Sequence, residues 1–165
     1  MSLYPTLRLA LPCVAASLAF AATCAQVRDV DLKAAYIFNF AQFTAWPEPG
    51  KGREPFLVCA TPNGVLWTSL QALNGKLVNN RSWTAVDASS RAPGSCDVLV
   101  LPRSAERPAA AHGVLVVRDG HGRGGAAITL IEGDEQVRFD VDTVEAARNG
   151  LRFSSKLLRL GRNVT

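Results

Sequence analysis

Five sets of residues carry side chains suited to catalysis, metal binding or ligand capture. The run GHGRGG (120–125) fits G-x-G-x-x-G and follows an apolar stretch, GVLVVRD. A dinucleotide site needs such a loop to open a helix whose N-terminus holds the pyrophosphate. Here AAITLIEG follows, a β-type segment, so the run reads as a glycine loop and not a nucleotide site. Asp140 and Asp142 alternate, share one strand face and lie close to Glu145. Paired carboxylates can do acid–base work when one pKa is pushed up. Asp142 is better placed as a helix cap and Asp140 as a solvent-facing residue. His112 and His121 have no evident Ser or Cys partner, and Ser104 lacks the G-x-S-x-G elbow. No catalytic residue is therefore assigned. Cys59, Cys96, His112 and His121 contain no close ligand pair of the zinc type, so no metal and no cofactor is expected. Lys156, Arg159 and Arg162 recur at spacing three near the C-terminus. They read as a solvated face with favourable charges at a helix end. The functional version of that face is contact with anionic lipid head groups, cell-wall polymer or an acidic partner.

These residues sit in a chain of 165 residues with 48% hydrophobic and 19% charged side chains. That is enough for one globular domain with a real core. A net charge of +4 is mildly basic and falls well short of a nucleic-acid binder. Arg8 precedes LALPCVAASLAFAATCA, an uncharged run of apolar and small residues. This reads as a secretory signal peptide of residues 1–25, cut after Ala25, with Ala21 as the alternative site. The run is short for a stop-transfer helix, and Pro12 interrupts it. Lipidation at Cys24 is disfavoured, since the preceding Phe20-Ala-Ala-Thr lacks the usual leucine. The expected location is the periplasm. Two cysteines, Cys59 and Cys96, then remain in an oxidising compartment. They form one bridge, worth about 3–4 kcal/mol on the chain-entropy model, or stay as two separate buried thiols; export favours the bridge.

Residues 26–165 divide into short elements. PEPGKGREP (47–55) is a loop, and PFLVCA (55–60), SWTAVDA (82–88), DVLVLP (97–102) and GVLVVRD (113–119) are strands. NGVLWTSLQALNG (63–75) has helical spacing, and residues 103–112 form a weak helix or loop around Pro108. Residues 127–142 read as a hairpin turning near Gly133 and Asp134. A helix capped by Asp142 ends at Asn149-Gly150, and residues 154–164 form a last helix. The expectation is an α/β fold: a single compact domain, a mixed β-sheet, and helices packed on both faces.

The opening helix holds the ambiguity. DLKAAYIFNFAQFTAWP (31–47) is too short and too interrupted, by Lys33, Asn39 and Gln42, to span a bilayer. At 100° per residue, Leu32, Tyr36, Asn39, Phe43 and Trp46 fall on one side. An amide buried there without partners costs about 1–3 kcal/mol. Either Asn39 bonds a neighbouring loop within the core, or this side meets a ligand or partner.

LKAAYIFNFAQFTAWP resembles the segment that opens the mature part of YfiR-like proteins. FLVCATPN, SCDVLVLPRS, VLVVRD and GGAAITLIEGDEQVRFDVDTVEAARNGLRFSSKLLRL are similar to later blocks of that family, in order, over nearly all of residues 30–160. The resemblance implies a regulator and not an enzyme. It implies a periplasmic protein that binds the periplasmic part of an inner-membrane diguanylate cyclase and represses it, which lowers cyclic di-GMP and biofilm formation. It also implies a compact α/β fold, dimers and pairing of Cys59 with Cys96. The partner-facing set is then Tyr36, Asn39, Phe40, Phe43 and Trp46, while Arg138, Phe139 and Arg148 fall in structural blocks. Two departures stand out. The segment before Gly124-Gly125 is short and lacks an aromatic, and the second cysteine pair of some relatives is missing, so no switch can rely on it. The alternative function is a periplasmic sensor module with a small-molecule pocket between the opening helix and the sheet.

Overall fold

Short apolar runs bounded by Gly, Asn and Pro become strands, and the one long apolar stretch becomes a helix. The structure is a computed structural model that describes residues 16–47, 55–106, 109, 112–122, 124–133 and 136–165; for 16–28 it describes the backbone alone. In chain order the elements are α1 (Ala16–Gln42), β1 (Thr44–Ala45), β2 (Phe56–Ala60), α2 (Trp67–Gln71), β3 (Leu77–Val78), β4 (Arg81–Asp87), β5 (Val98–Pro102), β6 (Leu115–Asp119), β7 (Ile128–Glu132), β8 (Val137–Val141), α3 (Thr143–Arg148), β9 (Arg152–Phe153), α4 (Ser155–Leu158) and β10 (Asn163–Val164). Two short 3-10 turns, Ala88–Ser90 and Pro93–Ser95, link β4 to β5.

Eight strands make one mixed sheet in the order β10-β8-β7-β6-β5-β2-β4-β3. Strands β4, β2, β5, β6 and β7 are parallel neighbours, β3 and β8 run antiparallel to β4 and β7, and β10 is parallel to β8. β1 and β9 form a separate antiparallel ribbon. Strand alternation sorts the side chains. Phe56, Val58, Val98, Val100, Leu115, Val117, Ile128, Leu130 and Phe139 point to one face. There they meet Ala34, Ile37, Phe40 and Ala41 of α1, Leu70 of α2, Ala146 of α3 and Leu157 of α4. Cys59, Leu99 and Val116 point to the other face, where Cys96 and Ala88 pack against them. Helical structure thus lies on both faces, but unequally: the α-helices cover one and the 3-10 turns cover the other. The described residues form the single α/β domain expected.

Several boundaries differ from expectation. α1 stops at Gln42, so Trp46 is not part of its stripe. Pro47 disfavours helical backbone at Trp46, and Thr44 pairs with Phe153 while its hydroxyl donates to the Phe40 carbonyl. The helix read over 63–75 shrinks to Trp67–Gln71, because Asn63 takes a positive φ of 64° and the preceding turn is irregular. Val65, within that expected helix, is exposed. The last helix is a single turn. After Gly161 the chain extends, because Arg162 and Asn163 bond the Asp140 carboxylate and draw β10 onto β8. The hairpin β3–β4 was not anticipated. Asn79 and Asn80, at φ 49° and 66°, supply the type I′ turn it needs. Residues 1–15 of the stretch read as a signal peptide lie outside the described residues, as does Asp134 of the β7–β8 turn.

Candidate functional site

α1 is anchored from below. Ile37 and Ala41 are fully buried, and Phe40 is 2% exposed with its ring 4.7 Å from Phe139. Lys33, one turn before Ile37, is also buried. Its ammonium donates to Asp119 at the end of β6 and to Glu132 at the end of β7. Burial alone would depress the Lys33 pKa. The hydrogen bonds and charges of the two carboxylates outweigh it and hold the ammonium above its ordinary value. The same hydrogen bond lowers the Glu132 pKa.

With that face pinned, the opposite side of α1 faces outward. Asn39 is exposed, Leu32 is 42% exposed, and Tyr36 and Phe43 are half-buried. Asn39 is therefore not a core amide; it sits in solvent between two partly uncovered aromatic rings. Phe40 supports this surface from beneath, against Phe139. Trp46 is half-buried off the helix, with its ring 5.4 Å from Phe56 and its indole N–H donating to the Ala41 carbonyl.

A cationic arm borders the stripe. Residues 143–165 hold five cations (Arg148, Arg152, Lys156, Arg159, Arg162) against one carboxylate, Glu145, a surplus of four. That surplus equals the net charge of the whole chain. Arg162 pairs with Asp140, whose carboxyl it holds below the usual carboxylate range, and Arg148 pairs with the buried Glu145. Lys156 lies over the Phe43 ring at 4.8 Å. The three-residue spacing expected to run along one helix is thus split: Lys156 lies in α4, Arg159 is its C-cap, and Arg162 is in the extended chain just before β10. Arg138 is exposed on β8 beside buried Phe139. A cleft of about 270 Å³ opens between Tyr36, Arg138, Leu160 and Arg162.

Most of the remaining candidates have structural roles. The glycine loop precedes β7 and opens no helix. It wraps two arginines: a Cβ at Gly122 would meet Arg118 Cδ at 2.6 Å, and one at Gly120 would meet Arg103 Nε at 2.6 Å. Arg118 is buried and donates to the carbonyls of Ala105 and Gly124. Asp142 caps α3 by accepting from the Glu145 amide. His112 packs against Gly150, where a Cβ would meet its ring at 2.5 Å. His121 and Ser104 are exposed. Among the described residues no group of three His, Cys, Asp or Glu side chains could hold a metal ion. Cys59 and Cys96 form a disulfide, with Cα atoms 5.9 Å apart and both residues buried. No described helix is long and apolar enough to cross a membrane.

The family model described as YfiR/HmsC-like matches residues 30–162. The chain belongs to this family. No curated protein matches it. The matched span of this YfiR/HmsC-like chain starts beside the buried Lys33 and ends at Arg162. It includes the α1 stripe, both bridged cysteines and the cationic arm. Sequence reasoning found the stripe from its periodicity. It missed the cleft, because Tyr36, Arg138 and Leu160 lie far apart in the chain; the exposed leucine beside a run of cations was the available signal.

Proposed function

We propose that this protein is an exported periplasmic regulator that binds a membrane-bound diguanylate cyclase and represses it, lowering cyclic di-GMP and biofilm formation. In this reading it is not an enzyme. The observation that carries it is the half-exposed stripe of α1 (Leu32, Tyr36, Asn39, Phe43) inside a YfiR/HmsC-like domain. A rigidly backed, partly apolar helix surface is what helix-mediated docking uses. The Cys59–Cys96 bridge suits an oxidising compartment. Family resemblance also supports a homodimer, and the cationic arm supports contact with anionic envelope components. Replacing Asn39 by Glu puts a charge in the stripe without touching the core. The N39E variant is expected to keep the wild-type melting temperature and to lose repression, read as raised intracellular cyclic di-GMP. Wild-type repression by folded N39E would exclude this surface.

One observation favours the second reading, a small-molecule sensor module. The space between α1 and the sheet, where a pocket was expected, is filled by Ile37, Phe40 and Ala41. On the other face an open cavity of about 680 Å³ is lined by Arg118, Thr129, Asp140, Arg162 and Asn163 among others. This lies within the roughly 300–1,000 Å³ of small-ligand sites. A thermal-shift screen of periplasmic metabolites tests it: a stabilising compound supports a sensor, and a flat screen removes it.

A further inference from the structure

The cleft beside the stripe has a shape and charge that define an occupant. We infer that it receives an extended, acidic peptide segment that seats one apolar side chain. In the regulator reading, on which this rests, that segment is supplied by the partner. Three observations meet here. First, the cleft holds about 270 Å³, below the range of small-ligand sites, and Tyr36, Phe139 and Leu160 give it apolar walls. Leu160 is 64% exposed, so apolar surface is left uncovered at the rim. One anchoring side chain fits such a space.

Second, the rim is positive. Arg138 lines the cleft, Arg159 precedes Leu160 and Lys156 stands in α4 one turn before it; among the described residues none of these three makes an ion pair. Among the described residues, the carboxylate of Asp140 on the same strand is occupied by Arg162 and Asn163 and does not offset Arg138. Carboxylates flanking the anchor would complement this field.

Third, β10 and the Arg162 amide before it cover the outer edge of β8 from Phe139 to Val141. Among the described residues no strand pairs with that edge at Val137, whose backbone faces outward and which lines the cleft beside Arg138. An uncovered strand edge can take an added peptide strand. A concave, single-anchor cleft beside a strand edge suits a polypeptide better than it suits a lipid surface, which would meet a broad array of projecting cations.

The test uses the isotopically labelled exported protein and two synthetic probes, Glu-Glu-Phe-Glu-Glu and Lys-Lys-Phe-Lys-Lys, followed by amide NMR. The acidic peptide is expected to shift the amides of Val137, Arg138 and Leu160, with the basic peptide leaving them unmoved. Arg138→Glu is expected to weaken acidic-peptide binding about three- to tenfold, and Lys156→Glu serves as an independent second variant. Equal response to both peptides, shifts confined to other surfaces, or no loss in either folded variant would overturn the inference. So would R138E-sensitive binding to phosphatidylglycerol vesicles, relative to phosphatidylcholine vesicles, without peptide binding; the face would then be a membrane contact. Acidic-peptide binding at this cleft in a protein whose deletion leaves cyclic di-GMP unchanged would support the cleft and remove the regulator reading.

Discussion

Lys33 shows how a single side chain sets the orientation of the candidate surface. A buried ammonium is stable only when paired, and Asp119 and Glu132 provide the pairing from the ends of two adjacent strands. Glu132 is 57% exposed on its side chain, so solvent screens its share. Its pKa is lowered in the folded state, so its contribution is present above the ordinary glutamate value near 4.5. It disappears as pH falls through the depressed folded value. Glu132→Gln is therefore expected to lose about 0.5–1 kcal/mol at pH 7. Denaturant titrations should show that difference vanishing in acid. A difference that persists at pH values well below 4.5 would mean that packing, not charge, accounts for the loss. In the sequence, Lys33 reads only as an interruption of a greasy stretch. Its partners lie 86 and 99 residues away, and nothing local announces them. The stripe itself was legible, because α-helical periodicity places Tyr36, Asn39 and Phe43 together. Whether Asn39 was core or surface was not legible, since that depends on which face the sheet takes.

At the scale of elements, the disulfide joins β2 to the chain just before β5, two neighbouring parallel strands. Both sulfurs belong to residues buried beneath the 3-10 turns, so a thiol reductant cannot reach them in the folded protein. This favours a staple over a switch. Replacing both cysteines by serine is expected to lower stability by about 3–4 kcal/mol. Repression should persist at temperatures where the variant stays folded. Altered regulation in a folded, stable double variant would instead make the bridge a sensor. The strands and the Asp142 cap were visible in the sequence, because alternation and capping are local signals. The end of α1 and the fate of the last segment were not. Thr44 leaves the helix to pair with β9, and Arg162 leaves it to reach Asp140; both outcomes are decided by partners distant in sequence. The Asn79-Asn80 turn was missed although its signal is local, since Asn tolerates the positive φ that a tight hairpin requires.

Across the whole molecule, the core is built on one sheet face by α1, and the surplus of positive charge is gathered in the last segment, which packs beside the outward side of the same helix. One side of α1 is thus committed to stability while the other is left half-covered and rimmed by cations. That division is what the regulator reading requires: a surface that can be changed without loss of fold. The most direct measurement is intracellular cyclic di-GMP in a strain lacking the gene, with and without restoration of the wild-type copy. The account predicts a rise on deletion that the wild-type gene reverses and the N39E gene does not. An unchanged level on deletion would contradict the repressor function and turn attention to the cavity on the opposite face.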